Sequence, residues 1–598
     1  MKPTVAALAV TFSTALFAQP LSRRPVTETP TFHVDALRTG WYPNETVLTP
    51  TAVSSRFGPL WNSPQFDSVR LGNTTYTPHL YASPLYLDDV LLSSGPYNGR
   101  RFHIVFAATG NGWVYAVNAF ANSAGGGFVA PGAILWSRSL GTPSSNQDGG
   151  VPLGVLSTPV IDTKTGRMYV TADTTEGGRS WKIFALDVGS GAVLPGWPVV
   201  VTDTGLGAVN QNGPATLQPP AAISQRGALN LSPDGRLLYV PFGAYGDAGA
   251  GWLVAVDTLA RSIVSAFSGA PSGARAFANA GMWGSGGPAV DPAGNVYETT
   301  GNGPNDVRDV AGYWGESLLV WAPGAPLRLT GAYTPWNYCQ MDDADTDLGG
   351  DSPMVIPDLD PFSTRTPRLV VFGSKQGTAY LTDRDRPPGN LGGRAPCNLT
   401  DSSQDRSLLG PRPQPPFNMV GPLSVFGPYS EVYTMSNNAR ARTTPAYFRG
   451  ADGTSYVFYS GATKQCESCV QPVAPGLARL RVVTRVGDNA YLEVDAADTA
   501  LSFYSPGSPV VTSNGGNDGV VWILDANVYR GDALIGANVK RPILYAVDAV
   551  TLKLLWSSTT LNVGGKYNTP AVGRGVVFVG TDRIQAFGVA AARPVHKR

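Results

Sequence analysis

One short motif recurs along the 598-residue chain and limits the folds that it can adopt. In each copy a Ser, Thr or Gly stands before a proline, and a run of β-branched or apolar residues follows. The prolines of these copies are Pro84, Pro159, Pro288, Pro353, Pro445, Pro509 and Pro570. The run 225–229 fills the gap between Pro159 and Pro288 without a proline, so the chain contains eight units. Self-similarity of this kind predicts a repeat architecture.

Each unit continues with Asp/Gly turns and further apolar runs, a pattern that is typical of β-hairpins. The third run has its own four-residue signature: Tyr, Phe or Val, then Ala, then Val or Leu, then Asn or Asp. It occurs at 115–118, 184–187, 254–257 and 545–548. Two of these units reach a fourth run that ends in Leu-Trp, at Trp136 and Trp556. Four short strands per unit predict an all-β fold, an eight-bladed β-propeller of four-stranded antiparallel blades with tryptophans packed between the blades.

The last unit contains three evident strands, so the segment 57–61 is expected to supply the fourth and to close the ring with an N-terminal strand. The unit between Pro353 and Pro445 is the longest and has room for an insertion. Seven blades are therefore the fallback prediction.

The chain divides into four predicted parts. A basic residue and an apolar run predict a signal peptide at 1–18, followed by an extended N-terminal lead-in at 19–56, a single propeller at 57–590 and a basic C-terminal tail at 591–598. The mature protein is then secreted or extracellular, or periplasmic in a Gram-negative host. No later run has the 18 apolar residues of a membrane span. The sequons at Asn44, Asn73, Asn230 and Asn398 suit export in a host that glycosylates.

The four cysteines agree with an oxidising compartment. Of three pairings, Cys339–Cys397 with Cys466–Cys469 is favoured. The Cys466-Glu-Ser-Cys469 stretch could instead be a redox or metal knuckle, but no second pair or nearby His completes four zinc ligands.

Composition excludes several classes of protein. A net charge of +1 with no basic block argues against a nucleic-acid partner. Four separated histidines argue against a His-rich metal site, and 43% hydrophobic residues argue against global disorder.

The runs Val-Tyr-Ala-Val-Asn…Leu-Trp and Leu-Tyr-Ala-Val-Asp…Leu-Leu-Trp resemble the pyrroloquinoline quinone (PQQ) repeat of quinoprotein alcohol dehydrogenases and their non-catalytic relatives. The resemblance covers roughly 35–590. Its most specific stretch is 282–303, which is similar to the dehydrogenase segment of Trp, then Asp-Pro, then Thr-Gly-Asn. The stretches 345–349 and 373–384 resemble the segments that follow in that family.

This resemblance implies a cofactor site. Trp283 matches the stacking floor under the quinone, Lys375 matches a basic residue that contacts the quinone, and Asn302 matches a calcium ligand. The catalytic base of the family is an Asp before the Leu-Gly segment, and Asp343, Asp345 and Asp347 all compete for that role. Such a site would bind calcium through oxygen ligands, and its carboxylate would accept the alcohol proton.

The sequence also departs from the family. No two cysteines are neighbours, so the Cys-Cys pair that many such dehydrogenases hold over the quinone is absent. The usual Glu calcium ligand has no clear counterpart, and Asp247 is the candidate replacement. No Cys-x-x-Cys-His occurs, so no attached haem domain is indicated.

Two functions follow, and both fit a monomer. The first is a secreted calcium- and PQQ-dependent dehydrogenase that oxidises a small alcohol, sugar or polyol. The alternative is a non-catalytic propeller that binds protein or glycan partners without a cofactor, in which case Asn302, Lys375 and the aspartates only shape loops. A glycan-cleaving propeller is a third option, which requires paired carboxylates facing the axis. The dehydrogenase hypothesis requires Trp283, Asn302, Lys375 and one aspartate of 343–347 to converge on the central channel.

Overall fold

The computed structural model describes most of the chain between residues 28 and 590. The described stretches are 28–144, 147–148, 151–247, 249–271, 280–303, 311–343, 345–375, 377–387, 389–397, 423–425, 441–462, 476–498, 500–528, 534 and 539–590. The predicted signal peptide, the C-terminal tail, Asn398, Cys466 and Cys469 lie outside them, so what the sequence predicts there stays a prediction.

The strands of the described residues form eight blades in chain order, which confirms the predicted all-β, eight-bladed propeller. Each blade is an antiparallel sheet in which sequential strands pair, with the first strand innermost. Blade 1 consists of Leu85–Leu91, Arg101–Ala108, Trp113–Asn118 and Ile134–Ser139, and blade 2 of Val160–Asp162, Arg167–Thr174, Ser180–Asp187 and Val199–Val200. Blade 3 consists of Ile223–Ser224 with Asn230–Leu231, Leu237–Ala244, Trp252–Asp257 and Ser262–Ser268, and blade 4 of Ala289–Val290, Val296–Thr299, Leu318–Trp321 and Leu329–Tyr333. Blade 5 consists of Met354–Val355, Leu369–Gly373, Thr378–Asp383 and Leu423–Ser424, and blade 6 of Ala446–Arg449, Ser455–Ser460, Leu477–Val483 and Tyr491–Asp498. Blade 7 consists of Val510–Asn514, Asn517–Asp525, Ile543–Asp548 and Leu554–Ser557, and blade 8 of Ala571–Gly573, Val576–Gly580, Ile584–Val589 and Phe57–Asn62.

Blade 8 closes the ring as predicted. Its outer strand is the N-terminal Phe57–Asn62, which runs antiparallel to Ile584–Val589. The long unit of blade 5 has its extra length between its third and fourth strands, and we call the described part of this stretch, residues 384–387 and 389–397, the insert. The seven-blade fallback is therefore not needed.

The Ser/Thr-Pro motif has a direct structural reason. Each of its prolines lies immediately before the first strand of a blade, where it removes no hydrogen bond from the sheet. The hydroxyl in front of the proline accepts a backbone N–H from the equivalent residue of the neighbouring blade. Such bonds run from Thr569 to Ser83 (3.0 Å), from Ser83 to Thr158 (2.9 Å) and from Thr444 to Ser508 (2.8 Å). The repeated hydroxyls thus link blades around the channel.

Tryptophans also join neighbouring blades, as the sequence predicts. The Nε1 of Trp136, in the outer strand of blade 1, donates to the carbonyl of Val188 in blade 2 at 3.0 Å. Trp556, in blade 7, packs edge-on against Phe57 of blade 8 with ring centroids 4.9 Å apart.

The lead-in contains a feature that the sequence analysis does not predict. Residues 29–42, which we call the belt, run inside the ring and hydrogen-bond to every blade. The partners lie in or next to the eight first strands, and they are Tyr86, Ile161, Leu229, Val290, Val355, Tyr447, Val511 and Val572. The last belt residues, Trp41–Tyr42, form a strand parallel to 511–512 and make blade 7 five-stranded.

Arg38 is the central anchor of the belt. Its fully buried guanidinium donates to the carbonyls of Leu229 (2.9 Å) and Phe32 (3.1 Å) and to the hydroxyl of Thr31 (2.8 Å). Burial lowers the pKa of Arg38 to about 9. These bonds fold the belt back on itself and attach it to blade 3.

The lead-in was expected to be extended, but it also contains the helix Pro50–Arg56. The side chain of Thr49 caps this helix by accepting from the backbone N–H of Ala52, and Pro50 starts its first turn.

The other short elements are the helices Asp203–Gly207 and Tyr338–Asp343, the 3-10 turns Gly95–Tyr97, Tyr245–Asp247 and Leu348–Gly350, and the strand pairs Val69–Leu71 with Thr74–Tyr76 and Gln147–Asp148 with Val151–Pro152. Within the described stretches, no helix has the length and apolar character needed to cross a membrane.

The predicted disulfide Cys339–Cys397 is present, with Cα atoms 6.0 Å apart. It ties the helix Tyr338–Asp343 to the insert of blade 5. The insert is thereby held against the loops that lead into blade 5.

Replacing Arg38 by Met should destabilise the ring. The variant leaves the carbonyl of Phe32 without its donor and removes the shorter of two side-chain hydrogen bonds to the carbonyl of Leu229, so we expect the free energy of unfolding to fall by about 3 kcal/mol in a urea titration. The control is Arg101→Met, whose side chain is 57% exposed in its ion pair with Asp89 and should change stability by less than about 1 kcal/mol. Equal effects of the two substitutions would contradict a central role for the belt.

Candidate functional site

Two small adjoining cavities, of about 10 Å³ each and so roughly large enough for one water molecule, lie at the end of the channel where the loops entering the first strands meet. Both are lined by Arg226, Ser285 and Tyr567. The first is also lined by Phe32, Tyr81, Leu156, Thr158 and Lys566, and the second by Trp283, Gly350 and Arg442. Because Phe32 belongs to the belt, the belt forms part of the cavity wall.

Trp283 stands in the loop between blades 3 and 4, with its indole half-buried. Two cations lie within cation–π distance of its ring. The Nζ of Lys375 is 4.9 Å from the ring centroid and the Cζ of Arg226 is 5.3 Å from it. Arg226 also lies 5.7 Å from the ring of Tyr567, so its guanidinium is held between two aromatic side chains.

Lys375 connects this aromatic group to the predicted aspartates. It lies between the second and third strands of blade 5, and its side chain is only 1% exposed. Its Nζ donates to Asp345 Oδ1 at 2.6 Å and to Asp347 Oδ1 at 2.9 Å. The Asp347 side chain is buried, whereas that of Asp345 is 37% exposed. Asp343 is exposed at the end of the helix Tyr338–Asp343.

Asn302 lies beside this group, in a loop that depends on glycine. A Cβ on Gly301 would come within 2.8 Å of Trp283 Nε1 and 2.9 Å of Asp347 Oδ2, so only glycine fits between them without a shift. The backbone carbonyl of Asn302 accepts from Ala280 at 2.6 Å, and its side chain is mostly buried. The structure thus brings Trp283, Lys375, Asp345 and Asp347 together with Asn302 alongside. The side chain of Asp247 lies outside the described residues.

Two acids at the site were missed by the sequence analysis. Glu316 Oε2 accepts from the backbone N–H of Leu348 at 2.5 Å, and Asp342 Oδ1 accepts from that of Gly303 at 2.7 Å. Burial raises the pKa of Asp342 to about 8. Burial and the nearby charges of Asp347 and Asp342 raise the pKa of Glu316 well above its usual value. Both acids therefore lose their protons less readily than an exposed carboxyl group does.

The backbone of Glu316 and of Asp345 adopts left-handed conformations, with φ of +53° and +51°. For non-glycine residues such conformations cost free energy, and they occur preferentially at functional sites. No residue pattern in the sequence signals them.

The insert of blade 5 reaches the same loops through Arg394. Its Nη1 donates to the carbonyl of Gly315 at 3.1 Å, and its Cζ lies 4.1 Å over the ring of Tyr338. The disulfide Cys339–Cys397 lies three residues along the insert. Disulfide and arginine together hold the insert against the site.

The donors at the site match a polyanionic planar ligand better than a calcium ion. An indole face with Arg226, Arg442, Lys566 and Lys375 around it suits an aromatic ring with carboxylates. Oxygen donors suitable for calcium are present, but Lys375 already pairs with both Asp345 and Asp347. In the part of the chain that the structure describes, no three His, Cys, Asp or Glu side chains are grouped to hold a metal. Of the predicted calcium ligands, Asn302 lies beside this group and the Asp247 side chain lies outside the described residues, so the calcium site stays a prediction.

A further buried acid, Glu298, lies in the second strand of blade 4 beside the site loop. Its Oε1 accepts from the N–H of Thr299 at 2.9 Å, and burial raises its pKa to about 8. Asp351, at the entry of blade 5, is also fully buried, and burial raises its pKa to about 8. The folded protein thus keeps protons on these carboxyl groups that the unfolded chain loses at acidic pH.

Stability should therefore decrease as the pH rises. A raised folded-state pKa stabilises the fold fully below the unfolded pKa, near 4, and this contribution is lost as the pH rises through about 8. Each such group lowers the free energy of unfolding by up to about 1.4 kcal/mol per pH unit in that window. We expect Glu298→Gln to reduce the slope between pH 5 and 8 in urea titrations, while Asp360→Asn, on an exposed loop, leaves it unchanged. An unaltered slope in Glu298→Gln would show that this carboxyl is ionised in the fold.

Comparison with known proteins agrees with the fold. No protein-family model and no curated protein sequence matches the chain. Among solved structures, the quinohemoprotein alcohol dehydrogenase from Comamonas testosteroni matches with a TM-score of 0.54 at 14% identity, covering 96% of this chain and 82% of that one. A europium-containing methanol dehydrogenase matches with a TM-score of 0.53 at 15% identity, covering 94% of this chain and 91% of that one. The chain therefore shares its eight-bladed propeller fold with these two dehydrogenases.

Proposed function

We propose that the protein is a secreted dehydrogenase that uses PQQ to oxidise an alcohol, sugar or polyol. The observation that carries this proposal is the convergence of Trp283, Lys375, Asp345 and Asp347 at the end of the channel. The disulfide Cys339–Cys397 supports an oxidising compartment and hence export. The match in fold to two dehydrogenases supports the reaction class.

The residues around the cavities would bind the quinone. Trp283 offers an aromatic face, and the side chains of Arg226, Arg442 and Lys566 offer positive charge for its carboxylates. When bound, PQQ supplies the two-electron acceptor for the oxidation. The mostly buried cationic side chains would hold the ring in one orientation, because each is fixed by the surrounding loops.

Asp345 is the residue we assign as the base. Its partly exposed carboxylate can meet a substrate hydroxyl and accept its proton, whereas Asp347 is buried. Lys375 orients Asp345 through their 2.6 Å hydrogen bond, and Asp347 in turn fixes Lys375 from the buried side. Asp347 and Lys375 are positioning residues for the proton transfer. Glu316 and Asp342 lie behind them, and the raised pKa of each acid disfavours further negative charge there.

Reconstitution of the purified protein with PQQ tests the proposal. We expect quinone absorbance to be retained after gel filtration, and an artificial dye to be reduced when alcohols or sugars are added. Trp283→Ala should weaken PQQ binding. Asp345→Asn should retain PQQ but slow dye reduction by about 100-fold or more, because the base is removed.

The control is Asp89→Asn, a surface aspartate whose side chain is 56% exposed, which should behave as the unmodified protein. Loss of dye reduction in Asp343→Asn but not in Asp345→Asn would reassign the base. A protein that neither retains PQQ nor reduces dye would instead be a propeller that binds protein or glycan partners without a cofactor.

A further inference from the structure

Lys375 fills the place between two carboxylates where a divalent cation would be bound. Its Nζ is 2.6 Å from Asp345 Oδ1 and 2.9 Å from Asp347 Oδ1, so both carboxylates accept charge-assisted hydrogen bonds from the ammonium group. The Lys375 and Asp347 side chains are 1% and 2% exposed. Moving the ammonium away would leave a buried carboxylate without a counter-charge, which is strongly unfavourable.

Arg226 brings a second fixed positive charge to the same place. The Cζ of its guanidinium lies 5.3 Å from the centroid of the Trp283 ring and 5.7 Å from that of the Tyr567 ring, so the guanidinium contacts two aromatic rings. Lys375 lies 4.9 Å from that same Trp283 ring. A divalent cation beside Trp283 would be repelled by both residues.

The acids that are left do not form a cage. Glu316 and Asp342 are each committed to a backbone N–H, of Leu348 and Gly303 respectively. Across the described ranges, no group of three His, Cys, Asp or Glu side chains is arranged to hold a metal ion. The positive charge at this site comes from side chains.

From these contacts, and resting on the proposed function, we infer that the protein binds PQQ without a divalent metal ion, with Arg226 and Lys375 supplying the positive charge beside Trp283. The ligand class is thus a planar aromatic polyanion held by fixed organic cations. The inference separates this chain from the calcium-dependent site that the sequence resemblance implies.

The test measures PQQ binding to the full-length protein directly, by quenching of tryptophan fluorescence and by calorimetry. Protein treated with EDTA is compared with the same protein in excess calcium or europium. We expect the Kd for PQQ to agree within about twofold under all three conditions, and titration with europium alone to give no saturable luminescence at the site. A Kd at least tenfold lower with either metal, or saturable europium luminescence, would overturn the inference.

Variants of Arg226 sharpen the result. Arg226→Ala should raise the Kd at least tenfold in EDTA, and Arg226→Lys should recover part of the loss because it restores the charge. Arg226→Glu replaces a cation by an oxygen donor, so any PQQ binding that remains should become calcium-dependent. Arg101→Ala, which removes a side chain that is 57% exposed, is the matched control and should leave the Kd unchanged. Circular dichroism and thermal melting establish that each variant is folded.

The outcomes separate this inference from the proposed function. Binding of PQQ only in the presence of calcium or europium overturns the metal-free site and leaves the dehydrogenase proposal standing. No binding of PQQ under any condition overturns both. An unchanged Kd in Arg226→Ala assigns the charge to other residues and overturns the role given to Arg226.

Discussion

Hydrogen bonds between the belt and the first strand of every blade are the interaction on which the ring depends. The first strand of a propeller blade faces the channel with an unpaired edge, whose N–H and C=O groups require partners. The belt provides partners at one position in all eight blades, while the hydroxyls before the prolines connect neighbouring blades. Radial and lateral bonds of this kind fix the loops at the end of the channel. The positions of the site residues follow from that framework.

Charge is arranged at the site with little exposed to water. Lys375 neutralises two aspartates from the buried side, while burial raises the pKa of Glu316 and of Asp342 because ionising them would add negative charge in a region of low dielectric constant. What remains partly exposed is one carboxylate, the Trp283 indole and Arg226, while Lys375, Arg442 and Lys566 are buried around them.

The fold could be predicted from the sequence because its signals are local and repeated. A Ser or Thr, a proline and an apolar run mark the entry to a blade wherever they occur, and the closing strand follows from the missing fourth strand of the last unit. The positions of Trp283, Lys375, Asp345 and Asp347 could be anticipated for a related reason. They lie in loops at one end of consecutive blades, which the propeller brings together.

The belt and the acids Glu316 and Asp342 could not be predicted in this way. The belt binds six of the eight blades through its backbone, which places few demands on residue type and so leaves little pattern. Glu316 reaches the site through a left-handed backbone conformation, and Asp342 lies on a six-residue helix with no periodicity to read. The calcium ligands were predicted from isolated residues of a motif, and such residues do not reveal the ion pairs that Lys375 makes with Asp345 and Asp347.

The belt and the strand Phe57–Asn62 both precede blade 1 in the chain, yet their partners extend to the end of blade 8. During synthesis on the ribosome, these early residues must wait until more than five hundred later ones have emerged before all their partners exist. Blades can assemble pairwise in the meantime, but the cavity acquires its wall at Phe32 only when both ends of the ring meet. A ligand that needs the enclosed cavity would therefore bind to the complete chain and not to a truncated product, because the truncated product lacks part of the cavity wall.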